Sequence, residues 1–73
     1  MSNTSTTFTA DNLTFTVGET FRRCGTSYAI ESIEISKETR RYREANISTM
    51  SPSGAMVWSV RVYRTGGIAI TPR

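Results

Sequence analysis

Arginine and tyrosine occur together at two points of the chain, residues 40–43 (RRYR) and residues 61–64 (RVYR). The guanidinium group is a planar fork that binds phosphate or carboxylate and stacks on aromatic rings. A tyrosine ring offers a flat face on which an unpaired nucleic-acid base can stack. We predict that these side chains bind a partner and call them the Arg/Tyr surface: Arg40, Arg41, Tyr42, Arg43, Arg61, Tyr63 and Arg64.

Two classes of partner suit the Arg/Tyr surface. Nucleic acid is slightly preferred, with arginine on phosphate and tyrosine stacked on a base, and its affinity would then fall as the salt concentration rises. An acidic protein surface is the alternative, because Tyr and Arg are enriched among the side chains that dominate protein–protein binding. The chain would then be a small inhibitor or accessory protein, of the kind carried by phages and other mobile elements, that binds a host protein complex.

The segment at residues 37–46 (KETRRYREAN) also has two interpretations that involve no partner. A helix is disfavoured because Tyr42 and Ala45 are its only apolar positions, so it would have no apolar stripe. The solvated tip of a long hairpin fits better, since a strand here would be polar on both faces. Ion pairs between its arginines and nearby carboxylates would contribute little to stability. The carboxylates in reach are Glu34, Glu38 and Glu44.

The chain has few side chains that are suited to catalysis. It contains no histidine, and Asp11 is its only aspartate. Of the glutamates that are close in sequence, Glu31 and Glu34 flank a predicted irregularity in a strand. Glu38 and Glu44 lie among arginines, which does not suit a carboxyl group held protonated for catalysis. We therefore expect a protein that is not an enzyme and that uses no cofactor.

Cys24 is the only cysteine, so an intramolecular disulfide is excluded and a zinc site would lack its usual ligands. We expect Cys24 to be a small buried side chain rather than a reactive thiol. Stability must then come from the packing of a β-sheet, from a partner subunit, or from both. A homodimer is therefore left open.

The totals of the chain describe a small basic protein. It has 73 residues, which corresponds to one domain, and its nine basic and six acidic side chains give a net charge of +3. The longest unbroken apolar run is AMVW, residues 55–58, far short of the roughly 20 residues that a membrane helix needs. No secretory signal is visible at the start. We expect a cytoplasmic protein that does not bind a membrane.

The elements that must position the Arg/Tyr surface are strands, because apolar side chains recur with a period of two. Five strands are predicted, at roughly 13–23, 27–36, 40–50, 55–64 and 67–71. In the fourth, Met56, Trp58, Val60 and Val62 share one face, which leaves Arg61 and Tyr63 on the other. In the second, the spacing of three between Ile30 and Ile33 predicts a β-bulge near Glu31 or Ser32.

Short turns separate the predicted strands. Ser51-Pro52-Ser53-Gly54 has proline and glycine where a β-turn favours them, and the glycines of residues 65–67 (TGG) accept the positive φ of a hairpin turn. Five short antiparallel strands in meander order predict an all-β fold, either an SH3-like barrel or a strongly twisted open sheet. Residues 8–73 are predicted to form this domain. The Ser/Thr-rich residues 1–7 are predicted to be a disordered tail.

Overall fold

The alternation of apolar and polar side chains produces an all-β structure in which every strand pairing is antiparallel. The computed structural model describes residues 3–10 and 13–73. The strands in these residues are β1 (Asn3–Ser5), β2 (Thr7–Ala10), β3 (Leu13–Thr16), β4 (Thr20–Arg23), β5 (Thr26–Glu38), β6 (Tyr42–Ser51), β7 (Gly54–Tyr63) and β8 (Ile68–Pro72).

Six of these strands form one sheet, and the other two form a separate hairpin. The sheet has the order β1-β5-β6-β7-β8, with β4 also paired to β5, while β2 pairs only with β3. The sheet is open and does not close into a barrel, so the predicted all-β antiparallel meander is confirmed in its open form. Within the described residues, no helix is long and apolar enough to span a membrane.

Strand β5 is the longest strand of the sheet and pairs along both of its edges. One edge carries β6. The other carries β4, with Phe21 opposite Tyr28, and farther along carries β1, with Thr4 opposite Glu34. Between β1 and β4 the chain leaves this edge to form the β2–β3 hairpin. It returns at Gly18, whose N–H donates to the carbonyl of Ile30 at 2.9 Å.

The predicted first strand, residues 13–23, is wrong as a single element. It forms two strands, β3 and β4, that belong to different sheets. Gly18 lies between them with φ at 94°, a conformation that glycine adopts without the steric cost of a side chain. The N–H of Glu19 then donates to the carbonyl of Thr16 at 3.0 Å and closes the turn. The alternation continues through this segment, but the chain changes sheet.

The N-terminal residues take part in pairing where a tail was predicted. Asn3–Ser5 pairs with β5 from Ile33 to Ile35, and the carbonyl of Thr6 accepts a hydrogen bond from the N–H of Val17 at 2.9 Å. Met1 and Ser2, which the predicted tail also included, lie outside the described residues. Among the described residues, strand pairing therefore extends back to Asn3, before the predicted domain start at Phe8.

The core lies between the β2–β3 hairpin and one face of the sheet, which we call the inner face. Phe8 is 1% exposed and packs with its cross-strand neighbour Phe15. The predicted alternation of the fourth strand is confirmed, since Trp58 and Val60 are buried and Met56 and Val62 pack against the core. The buried apolar side chains are Phe8, Ala10, Phe15, Ile30, Ile33, Ala45, Ile47, Trp58 and Val60.

A bulge in β5 keeps its apolar side chains on the inner face. The pairing of β5 with β6 shifts between Ile30 and Ser32, where the sequence predicts a bulge. The extra residue places Ile30 and Ile33 on the same face despite their odd spacing, and both are buried. A second shift, between Ile35 and Lys37, has no counterpart in the sequence prediction.

The turn from β4 to β5 places Cys24 in solvent, so its predicted burial is wrong. Arg23 pairs with Thr26, and the two residues between them have positive φ, 53° for Cys24 and 80° for Gly25. Two-residue hairpin loops of this kind match the twist of the strands that they join. The residues at the centre of such a loop project away from the sheet, which is why Cys24 is exposed.

Arg23 links the two outer edges of the sheet across the inner face. Its Nη2 lies 3.4 Å from the carbonyl oxygen of Ile70 in β8, and its guanidinium lies 5.9 Å from the centre of the Trp58 ring. Strand β4 is at one edge of the sheet and β8 is at the other. The sheet is therefore curved enough for one side chain to span the gap between its edges.

The packing of the hairpin predicts that Phe8→Ala is strongly destabilising. The substitution leaves a cavity between hairpin and sheet, and a buried Phe→Ala change costs about 3–5 kcal/mol of unfolding free energy. Thr9→Ala, at the neighbouring exposed position of β2, is the control and should change stability by less than about 0.5 kcal/mol. Urea denaturation of both variants measures the difference. Equal stability of the two variants would show that the hairpin does not cover the sheet.

Candidate binding surface

The pairing of β6 with β7 brings the two Arg/Tyr segments together at one end of the sheet. Tyr42 lies directly opposite Tyr63, and Glu44 lies opposite Arg61. The two tyrosine rings are 5.8 Å apart between centroids and tilted by 52°. They lie on the face of the sheet opposite the core, which we call the outer face. The proximity of the two segments thus follows from strand register.

Thr39 closes the turn between β5 and β6, and Tyr42 is the first residue of β6. The N–H of Thr39 donates to the carbonyl of Tyr42 at 2.8 Å, and its hydroxyl oxygen accepts hydrogen bonds from the N–H groups of Arg41 and Tyr42. The N–H of Arg64 donates to the carbonyl of Arg41 at 3.0 Å, so the end of β7 is fixed to the tip. The hairpin interpretation of residues 37–46 is confirmed, and the helix alternative is wrong.

Arg61 is held on the outer face by three neighbours. Its Nε and Nη2 both donate to Oε2 of Glu44, at 3.0 and 2.6 Å. Its guanidinium lies 4.5 Å from the centre of the Tyr42 ring, and its Nη1 lies 3.4 Å from the Tyr63 hydroxyl. With these contacts made, Arg61 positions the two tyrosines and has little capacity left for a phosphate.

Glu44 is the acidic partner in this cluster, and its charged form is favoured. The hydrogen bond from Arg61 lowers the pKa of the Glu44 carboxyl below its ordinary value of 4.5. Partial burial opposes this shift, and the hydroxyl of Ser36, which donates to Glu44 Oε1 at 3.0 Å, adds to it. The Glu44 side chain is 15% exposed and that of Arg61 is 38% exposed, so solvent partly screens the pair.

Arg43 belongs to the opposite face of β6 from Tyr42. It shares its face with Ala45 and Ile47, and its guanidinium lies 5.3 Å from the centre of the buried Phe8 ring. Its Nε is 3.5 Å from Glu38 Oε1, in an exposed ion pair. Arg43 therefore covers one end of the core. Unlike Tyr42 and Tyr63 it lies on the inner face, and it meets them only at the rim of the sheet.

Three arginines of the Arg/Tyr surface remain exposed at the tip: Arg40, Arg41 and Arg64. Within residues 3–10 and 13–73, the ion pairs involve only Arg43 with Glu38 and Arg61 with Glu44. The predicted pairing of an arginine with Glu34 is absent from this set. The tip thus presents guanidinium groups to solvent without a carboxylate partner in the described part of the chain.

Two shallow depressions of about 200 Å³ each lie beside Tyr63. The first is at the rim of the sheet, and its lining includes Tyr42, Arg43, Val62, Tyr63 and Arg64. The second is on the outer face of β6, β7 and β8. It is lined by Glu44, Ser59, Arg61, Tyr63, Ala69 and Thr71. Tyr63 is the residue that lines both depressions.

Comparison of the chain with protein-family models, with curated proteins and with solved structures finds no match. The function must be argued from the geometry of this surface.

The sequence prediction missed the side chains that organise the surface. Thr39 and Ser36 were not included, although a threonine beside a charged tip can form this type of turn. For Glu44 the sequence indicates only general charge pairing, because its position opposite Arg61 depends on the register of β6 and β7. In the described part of the chain, no three side chains of the metal-ligating types come together.

The Glu44–Arg61 pair predicts a pH dependence of stability. Because the folded-state pKa of Glu44 lies below its unfolded value, the pair stabilises the fold above about pH 4.5, and this contribution is lost as the pH falls through the folded-state pKa. Glu44→Gln should remove this contribution. Between neutral and acidic pH, the free energy of unfolding of the wild type should therefore fall by about 0.5–1 kcal/mol more than that of the variant.

Urea denaturation at several pH values measures this difference, with Glu34→Gln, an exposed glutamate outside both ion pairs, as the control. If the pH profile of Glu44→Gln differs from that of the wild type no more than the profile of Glu34→Gln does, the role given to Glu44 is wrong.

Proposed function

We propose that this chain is a small non-catalytic binding module that holds nucleic acid on its Arg/Tyr surface. The observation that carries this proposal is the exposed Tyr63, beside Tyr42, at an end of the sheet where three arginines have no carboxylate partner among residues 3–10 and 13–73. Aromatic side chains on which bases stack, next to cations that follow the phosphate backbone, are the common components of single-strand binding surfaces.

The distribution of charge supports an anionic partner. The tip and the adjoining ends of β5, β6 and β7 carry Lys37 and the five arginines of the Arg/Tyr surface, against the acidic Glu38 and Glu44. The rest of the sequence has three basic and four acidic side chains. The net positive charge of the chain is therefore concentrated at this end, where it would attract a polyanion.

The side chains of the surface have different roles in this proposal. Arg40, Arg41 and Arg64 contact phosphates, because their guanidinium groups are exposed and outside the ion pairs. Tyr63, which is 36% exposed, stacks on a base. Arg61 holds Tyr42 and Tyr63 in place rather than binding phosphate, which changes the role that the sequence suggested for it.

A protein partner is the second candidate, and the apolar end of the outer face favours it. Met50 is 43% exposed and Val57 is 37% exposed, and they lie on the same uncovered face as the tyrosines. Exposed apolar side chains on the same face as Tyr and Arg are typical of protein-binding surfaces. In this case the chain would act as a small inhibitor or accessory factor of the phage or mobile-element type, with its arginines on an acidic surface of a host complex.

The nucleic-acid proposal predicts that a charge reversal at the tip weakens binding. Arg41→Glu should lower the affinity for labelled DNA or RNA by about tenfold or more at low salt, since it replaces a phosphate contact with a repulsion. Arg22→Glu makes the same charge change at an exposed position of β4 and is the control. Fluorescence anisotropy at about 50 and 200 mM salt measures both. Wild-type binding weaker than about 0.1 mM at low salt would contradict the proposal.

The protein-partner candidate predicts a different result. Affinity capture from a host lysate should recover one partner with the wild type, and Arg41→Glu and Tyr63→Ala should each lose it because both change the Arg/Tyr surface. Met50→Ser and Val57→Ser test the apolar end of the face in the same way. If both Arg41→Glu and Tyr63→Ala retain the same partner, that partner does not bind the Arg/Tyr surface.

A further inference from the structure

Tyr63 stands between two depressions of similar size but different chemistry. Each has a volume of about 200 Å³, below the roughly 300–1,000 Å³ of sites that enclose drug-sized ligands. Each is therefore suited to one small ring system rather than to a whole ligand. A partner that fills both would place one ring in each depression and contact Tyr63 from both.

The first depression, at the rim of the sheet, combines aromatic and cationic groups. Tyr42 and Val62 give it an apolar wall, and Arg43 and Arg64 bring two guanidinium groups to its margin. Glu38 also lines it but is paired with Arg43, which leaves Arg64 as the guanidinium outside the ion pairs. Arg41 is next to it, because its carbonyl accepts the hydrogen bond from the N–H of Arg64. A stacked base with a phosphate at its edge matches this combination.

The second depression, on the outer face, is lined mainly by hydrogen-bonding groups. Ser59 and Thr71 contribute hydroxyls that can donate or accept, and Glu44 contributes a carboxylate that accepts. These groups suit the polar edge of a base that is not engaged in Watson–Crick pairing, because that edge is free to exchange hydrogen bonds.

The rings of the two tyrosines are not equally available. The guanidinium of Arg61 lies over the Tyr42 ring at 4.5 Å and takes up one of its faces. Tyr63 is exposed, and its neighbour Gly67 has no side chain that could extend over the ring. Tyr63 is therefore the side chain on which a base can stack.

Resting on the proposed function, we infer that the nucleic acid is single-stranded and that two adjacent bases lie on either side of Tyr63. The strand runs from the first depression, with its phosphates at Arg41 and Arg64, over the edge of the Tyr63 ring to the second depression. The bases are separated from each other by the ring, and the outer one offers its pairing edge to Ser59, Thr71 and Glu44.

A duplex cannot make these contacts. Its bases are stacked on one another and paired, so a tyrosine ring cannot pass between two of them without unstacking that costs a few kcal/mol. A duplex would meet the arginines through its phosphates alone, and such binding is independent of Tyr63. The dependence of affinity on the Tyr63 ring therefore distinguishes the two substrates.

The test uses the full chain, single-stranded DNA and RNA of about eight nucleotides, and the same sequence as a duplex. Fluorescence anisotropy at low salt gives the affinity of wild type, Tyr63→Ala, Tyr63→Phe and Arg41→Glu for each. Wild type should bind a single strand at least about tenfold more tightly than the duplex. Tyr63→Ala should lower the affinity for single strands by about 5- to 150-fold, which is the usual effect of removing one stacking side chain, and should leave the affinity for the duplex unchanged.

The controls separate this inference from the proposed function. Tyr63→Phe keeps the ring and should retain single-strand affinity within about threefold. Arg41→Glu should lower the affinity for single strands and for the duplex alike. Duplex binding as tight as single-strand binding, or an equal loss for both with Tyr63→Ala, would overturn the inference while the proposed function stands. If no nucleic acid binds the wild type, the proposed function fails as well.

Discussion

The burial of a two-stranded hairpin against one face of the sheet is the constraint on which the rest of the structure depends. A chain of this length buries only about 60% of the surface that its unfolded form exposes, and here it can cover one sheet face but not the other. Phe8 and Phe15 supply the covering layer, and Trp58 and Val60 lie beneath it. The outer face is left to solvent, so most of its side chains are polar, with Met50 and Val57 as exposed apolar exceptions toward its far end.

The side chains of the outer face have no covering layer to hold them in place. The Glu44–Arg61 pair fixes some of them, because the two charged groups hold each other and Arg61 in turn contacts Tyr42 and Tyr63. Such an exposed pair adds little to stability. Its effect is to hold the tyrosine rings in one arrangement, which would lower the ordering cost of the binding that we propose.

Much of the fold could be predicted from the period of the sequence, and less of the site. The alternation around Trp58 indicated which residues are buried. It could not show that residues 13–23 form two strands, because a change of sheet at a glycine leaves the alternation intact. The strand at Asn3–Ser5 lies in a polar run without an apolar signal. The orientation of Arg43 could have been predicted, since it has the same parity as the apolar positions of its strand. The contacts of Arg61 could not, because they depend on the register between strands.

The most direct test of this account is an NMR titration of the isotope-labelled chain with a short single-stranded oligonucleotide. Chemical-shift changes should be largest at the tip and on the outer face around Tyr42, Arg61 and Tyr63. They should be small for the hairpin that covers the core and for the far end of the outer face at Met50. Changes centred on the hairpin, on Met50, or on no part of the chain at saturating oligonucleotide would contradict it.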